Sequence, residues 1–195
     1  MPTLLPLTPE DTDDVRDIIS IYLSDLEIRE NQELIENACS GELNETFGFG
    51  SREGNELVGL MIGTIKTEKE SLDDHFNRPT PVSTDSKGAI LQHLYVKPDN
   101  WGQGRGTSLV RAALEYVKSE GVCTVYAEAW IDPETPNATS IFRNEGFEEI
   151  YHSEDYWAHE AFVASLIPCP THGEPYSECP CEGALYEYNC GDAST

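Results

Sequence analysis

Three stretches of this 195-residue chain hold residue types whose spacing could do chemistry. The first is Trp101-Gly102-Gln103-Gly104-Arg105-Gly106-Thr107, with three alternating glycines. A glycine-rich turn between a strand and a helix aims several backbone N–H groups at one point, and the positive end of the helix dipole favours an anion there. The chemistry would be the seating of phosphate oxygens. The second stretch sets Cys169 and His172 against Cys179 and Cys181, three thiols and an imidazole within thirteen residues. Two short loops of such donors suit a tetrahedral Zn²⁺, with ~2.3 Å Zn–S and ~2.0–2.1 Å Zn–N bonds. The third is Glu128, an acid inside the apolar run from Cys123 to Ile131. Burial there would favour the neutral carboxyl and bring it towards the range of a general base.

Periodicity shows the elements that must position these groups. Ile90 to Val96 is an apolar run of strand length, and Lys97-Pro98 ends it. After the glycines, Leu109, Val110, Ala113, Leu114 and Val117 share one helical face. Near the N-terminus Thr8-Pro9-Glu10-Asp11 is a helix start. Val15, Ile18, Ile19, Tyr22, Leu23 and Leu26 then predict one long amphipathic helix, followed by a shorter one from Gln32 to Cys39. Residues 46–52 and 57–67 form paired strands around Glu53-Gly54-Asn55. A long polar loop over 71–87 contains Pro79 and Pro81, and loops of this length are usually functional or mobile. In the run containing Glu128, Val125, Ala127, Ala129 and Ile131 face one way, while Tyr126, Glu128 and Trp130 face the other. Asn137 is placed to cap a helix carrying Ala138, Ile141 and Phe142, which Gly146 ends. Ala184 to Tyr188 is the last strand.

Length fits one domain with a real core. The charge is unusual: 36 acidic residues against 12 basic ones, net −24. Either this is a solvated surface suited to high salt, where the Debye length is ~3 Å at 1 M, or an acidic funnel for cationic amines. The acids are spread along the whole chain, which favours the solvated surface. Nucleic acid is excluded as a partner by the lack of a basic stripe. No basic leader and no run of ~18 apolar residues is present, so the expectation is a cytoplasmic protein without a membrane span.

Two common phosphate motifs fail on spacing. A P-loop needs Gly-Lys-Ser/Thr, and Gly106 is followed by Thr107 and Ser108. The dinucleotide fingerprint needs glycine six positions in, and counting from Gly102 that residue is Thr107. Val96-Lys97-Pro98 followed by Trp101-Gly102-Gln103-Gly104-Arg105-Gly106 instead resembles the pyrophosphate loop of GNAT N-acetyltransferases, with Trp101 where Arg or Gln is usual. Asn137-Ala138 through Ile141-Phe142-Arg143-Asn144-Glu145-Gly146-Phe147 resembles the second signature of that family. The resemblance spans roughly residues 3 to 160.

The resemblance implies an α/β (α+β) fold: a mixed, splayed β-sheet flanked by helices on both faces. It implies acetyl-CoA as co-substrate, held by Leu94, Tyr95 and Val96, by Trp101, Gly102, Gln103, Gly104, Arg105, Gly106 and Thr107, and by Asn137, Ser140, Phe142 and Arg143. A backbone N–H near Val96 would donate to the thioester oxygen. The reaction is acetyl transfer to a primary amine, of which roughly one molecule in two thousand is neutral at pH 7 for a lysine-like pKa of ~10.4. A general base is therefore useful, and Glu128 is the first candidate. His93 has a suitable intrinsic pKa but equally suits a hydrogen-bonded structural role. Gln92 and His93 fall on opposite strand faces, so at most one enters the groove. Phe142 stands where relatives carry a proton-donating tyrosine. The thiolate then leaves unassisted or through water, or Tyr126, Ser140 or Tyr151 substitutes.

The expected organisation is an acetyltransferase core over 1–162, a Cys/His metal-binding insertion over 163–183, and a last strand and tail over 184–195. Cys169, His172, Cys179 and Cys181 would hold a structural zinc. Free thiols, a redox disulfide or an iron–sulfur cluster are the alternatives, and Cys190 could replace Cys181. Cys39 and Cys123 are expected to be buried, inert thiols. The partners are acetyl-CoA and an amine acceptor, with homodimer formation left open. The competing function is a catalytically weak protein of the same fold that binds acyl-CoA, or a partner protein through the metal loop.

Overall fold

The computed structural model describes residues 3–66, 87–154, 169, 172–173 and 178–190. Its strands are β1 (Thr3–Pro6), β2 (Thr46–Glu53), β3 (Glu56–Lys66), β4 (Gly88–Val96), β5 (Thr124–Ile131), β6 (Glu148–Ser153) and β7 (Glu182–Asn189). Its helices are α1 (Thr12–Ile19), α2 (Asp25–Glu30), α3 (Gln32–Ala38), α4 (Arg105–Ser119) and α5 (Thr139–Asn144). Among the described residues one seven-stranded sheet runs in the order β1-β2-β3-β4-β5-β7-β6. The polar loop expected over 71–87 lies outside the described residues except for Lys87.

The helix start at Thr8 forms as expected. The Asp11 carboxylate accepts from the Thr8 N–H at 2.9 Å and the Thr8 hydroxyl at 3.0 Å. The single long helix does not form. Ser24 and Glu27 make a second capping box, with the Glu27 carboxylate accepting the Ser24 N–H at 2.8 Å and the Ser24 hydroxyl donating to it at 2.7 Å. A new helix therefore begins at Asp25, and Leu26 is left exposed. Local cap chemistry overrides the continuing apolar spacing.

Each sheet face buries its own core. On one, Phe47, Met61, Ala89, Leu91, Val125, Ala127, Ala129 and Tyr186 pack against the α4 stripe of Leu109, Val110, Ala113, Leu114 and Val117. On the other, Leu57, Leu60 and Ile62 meet Val15, Ile18, Ile19 and Ile35. Full burial of each such Leu, Ile or Val favours folding by about 1.5–3 kcal/mol, enough for the α4 stripe to fix that helix firmly.

The sheet is splayed at its one parallel pair. β4 and β5 pair from Gly88↔Thr124 to Leu91↔Ala127 and then part. Beyond that point β4 pairs with β3, and Glu128 to Ile131 pair with β7. At the parting the β3–β4 register shifts between Ile62 and Gly63, which leaves Gln92 as an extra residue on β4. A bulge of this kind bends and twists its strand, here away from β5.

The expectation for Cys39 holds, and those for Cys123 and Cys190 change. Cys39 is buried, and burial pushes its thiol up to about 11, as an inert core thiol requires. Cys123 just precedes β5 and is exposed. Cys190 follows the far end of β7, where its N–H bonds the Cys123 carbonyl at 3.0 Å. The eight residues of β7 separate it from Cys181, so it cannot take that residue's place as a ligand.

Candidate active site and metal centre

Because β4 and β5 are parallel, both carry the chain to the same edge of the sheet, where they part. Backbone directions along this vacated edge follow from one bond: the Lys97 N–H reaches Val58 on β3 at 2.9 Å. Alternation then turns the main-chain groups of His93 and Tyr95 towards β3 and those of Leu94 and Val96 towards the gap. The Val96 carbonyl is already engaged, by the Tyr22 hydroxyl at 2.5 Å and the Trp101 indole N–H at 2.6 Å. The N–H groups of Leu94 and Val96 and the Leu94 carbonyl remain turned to the gap. The Gln92 Oε1 is buried at its base without a donor among the described residues. An extended amide-bearing ligand lying along β4 would complete such an edge.

The glycine turn stands at the mouth of the gap. Gly102 and Gly104 have φ of +69° and +73°, a backbone conformation that side chains disfavour, and space around both is open. Gly106 has a different reason: a Cβ there would sit 2.7 Å from Ile141 Cδ1, so it lets α4 meet the α5 segment. The first intrahelical bond of α4 is Ser108 N–H to Gly104 at 3.0 Å. The amides of Arg105, Gly106 and Thr107 precede it and have no helical acceptor, as an anion seat requires. Gln103 bonds back to the Asp99 carbonyl at 3.3 Å.

Side chains expected at the cofactor divide into two groups. Arg105 is buried under the turn, donating to Ser51, to the Arg52 carbonyl and to Glu53 at 3.1–3.4 Å. Asn100 donates to the same Glu53 at 2.9 Å. This anchor fixes the turn to the β2–β3 hairpin, so the guanidinium serves the loop's shape and only the Arg105 amide faces the anion seat. Phe142 is a core residue, packed on Phe147 and Tyr186 with ring centroids 5.2 and 5.6 Å away. Asn137 accepts the Thr139 N–H at 3.1 Å and so shapes the start of α5. Ser140 is exposed there, and Arg143 pairs with Glu149 at 2.7 Å.

Candidate catalytic groups occupy the opposite face. Val125, Ala127 and Ala129 pack towards α4, so alternation sends Glu128 and Trp130 to the other side. Glu128 is half-buried and is the first β5 residue beyond the parting. Across the gap, His93 shares this face with Tyr95. Its Nε2 lies 3.4 Å from Asn31 Oδ1 and its Nδ1 3.5 Å from the Tyr95 hydroxyl. Tyr95 in turn stacks on Tyr22 at 4.7 Å. This suits the structural role for His93. Tyr126 lies one step below the parting, opposite Ile90, fully buried with its hydroxyl donating to Glu187 at 2.9 Å. Tyr22 was visible in the sequence only as part of a helix pattern and Asn31 carried no signal; nothing in their spacing pointed to the end of β4.

The four soft donors converge. His172 Nδ1 lies 3.6, 3.4 and 3.6 Å from the sulfurs of Cys169, Cys179 and Cys181, and the Cys169 and Cys181 sulfurs are 4.0 Å apart. A tetrahedral zinc with ordinary bond lengths separates nitrogen from sulfur by about 3.6 Å and sulfur from sulfur by about 3.8 Å. The donor set therefore has the shape of a closed S₃N site. Burial raises the pKa of Cys179 and Cys181, and thiolates persist in such a place beside a cation. The Cys181 N–H also donates to the Cys179 sulfur at 3.4 Å.

A splayed parallel pair with an amide-lined turn at its mouth defines a class: α/β proteins that hold an extended, phosphate-bearing ligand along an open strand edge. A family model, the acetyltransferase (GNAT) family, matches residues 12–162, and the chain belongs to that family. An uncharacterised N-acetyltransferase of Methanocaldococcus jannaschii is 38% identical over 61 residues, which cover 31% of this chain and 26% of that protein. The chain thus spans about a quarter of the length of that curated relative. Among solved structures, the fold is similar to that of NAA60 of Arabidopsis thaliana in complex with acetyl-CoA, with TM-score 0.63, 16% identity, and 97% of this chain and 99% of that one covered. It is also similar to the ribosomal-protein-S18-alanine N-acetyltransferase of Escherichia coli, with TM-score 0.60, 16% identity, and 97% and 94% covered. A mosquito arylalkylamine N-acetyltransferase-like protein gives TM-score 0.61 and 11% identity, with 97% and 100% covered. Among the described residues no helix is long and apolar enough to cross a membrane.

Proposed function

We propose that this protein is an acetyl-CoA-dependent N-acetyltransferase that moves an acetyl group to a primary amine. The observation that carries this reading is the parting of β4 and β5 after Leu91 and Ala127, at the edge where the amides of Arg105 to Thr107 have no helical acceptor. The diphosphate rests on those amides, and the pantetheine amides lie along Leu94 and Val96. The thioester carbonyl oxygen accepts an N–H from that same edge, which stabilises the tetrahedral intermediate. The amine enters on the face of Glu128, gives up its proton to that carboxylate and forms the N–C bond. Collapse of the intermediate breaks the C–S bond and releases coenzyme A. With Phe142 in the core and the Tyr126 hydroxyl held by Glu187, the thiolate leaves unassisted or takes its proton from water, Ser140 or Tyr151. Zinc held by Cys169, His172, Cys179 and Cys181 has four protein ligands and so a structural role.

A panel of polyamines, aminoglycosides, peptide amino termini and lysine peptides, with thiol release as readout, tests the proposal. One class should accelerate release, and Glu128→Gln should lower that rate by about 10²–10⁴-fold without changing affinity for coenzyme A. The lack of a tyrosine at Phe142 favours a second reading, a weak enzyme that binds acyl-CoA, or a partner protein through the metal loop. Binding of coenzyme A without any amine-dependent thiol release would select it.

A further inference from the structure

We propose that the metal centre clamps the β5 side of the gap and so positions Glu128 and Trp130; the inference rests on the zinc assignment above. Beyond Ala127, β5 has parted from β4 and keeps only β7 beside it, through Glu128↔Leu185, Ala129↔Ala184, Trp130↔Gly183 and Ile131↔Glu182. Strand segments with a free edge are the weakly held part of a sheet. The open corner of this one lies where Ile131 meets Glu182. The next residue on β7's side is the ligand Cys181, and the next on β5's side is Asp132.

Both sides are tied to the centre. The Trp130 indole nitrogen is buried beside the Cys181 sulfur. Asp132 is 3% exposed, and its Oδ1 lies 3.9 Å from His172 Nε2, the ring nitrogen opposite the one that faces the three sulfurs. The same carboxylate accepts the Glu134 N–H at 2.8 Å and the Thr135 hydroxyl at 3.1 Å, which fix its direction. A carboxylate behind a ligating imidazole sets the tautomer and orientation of the ring. Asp132 is thus a positioning residue that joins the end of β5 to the metal. Trp130 packs beside the same centre from the face that carries Glu128. With zinc bound, the corner closes and the β5 edge keeps its distance from β4.

Hydrogen exchange followed by mass spectrometry on the full chain, zinc-loaded and chelator-stripped, tests this. Stripping should deprotect residues 127–132 and 182–186 while α4 keeps its protection. Asp132→Asn should weaken zinc binding about 10–100-fold in competition with a chelator, and Asp132→Glu should recover part of the loss. In amine-dependent thiol release, Asp132→Asn at sub-saturating zinc should lower kcat and leave KM for acetyl-CoA unchanged. If zinc binds and its removal leaves protection unchanged, the clamp is wrong while the metal site stands. Uniform loss of protection would also overturn it, since the metal would then support the whole fold. Failure to bind zinc at all would remove both.

Discussion

At the α4 end of the gap, the groups offered to a ligand are main-chain amides from Arg105 to Thr107. At the β7 end, they are the side chains of Cys169, His172, Cys179 and Cys181. The first site is made by backbone shape, and its side chains are spent elsewhere: Arg105 on Glu53, Trp101 on the Val96 carbonyl, Gln103 on Asp99. The second is made by atom types, and its backbone follows them. A backbone site should tolerate changed side chains that keep the turn and fail when bulk or charge enters it. A side-chain site should fail on loss of a single donor atom.

The largest effect should be Cys169→Ser. Structural zinc contributes ~10–16 kcal/mol of apparent binding free energy in small metal-dependent domains, and loss of a thiolate forfeits much of it. The variant should release metal and melt at lower temperature, by metal analysis and thermal denaturation; retained stoichiometric zinc would break the comparison. Next, Gly104→Glu puts a charge and a side chain at φ +73°, at the proposed seat of the diphosphate. Calorimetry should show coenzyme A binding abolished with the fold intact, and unchanged affinity would mean the turn is misassigned. Gly106→Ala is smaller and different in kind. Its methyl would press on Ile141 Cδ1, and overpacking typically costs ~1–3 kcal/mol, visible as reduced stability. Trp101→Phe should be smallest, losing one hydrogen bond worth ~0.5–1.5 kcal/mol and only modestly weakening coenzyme A binding. A large loss there would show that this turn depends on a side chain after all.

Much of this contrast was legible in the chain. Alternating glycines before a helical stripe mark a backbone anion seat because only a few residue types permit that turn. Cys-x2-His with Cys-x-Cys marks a soft ligand set because donor chemistry is written in residue type. The Thr8 cap and the β2–β3 hairpin were equally local, and both formed. The long first helix was misread because a period of 3.6 continues through Leu26, whereas the Ser24–Glu27 box that stops it is a matter of two hydrogen bonds. Cys123 showed a strand pattern, but its place at the strand's exposed start could not be seen locally.

The sequence alone determined most of the elements, the glycine turn, the donor set and the isolated acid on β5, since each depends on neighbours a few residues away. Tertiary structure alone decided that β4 and β5 part at Leu91 and Ala127, that Tyr126 is sealed against Glu187, and that Trp130 and Asp132 lie beside the Cys/His cluster. Those facts depend on register between strands thirty to sixty residues apart, and a register is chosen by the packing of the whole sheet.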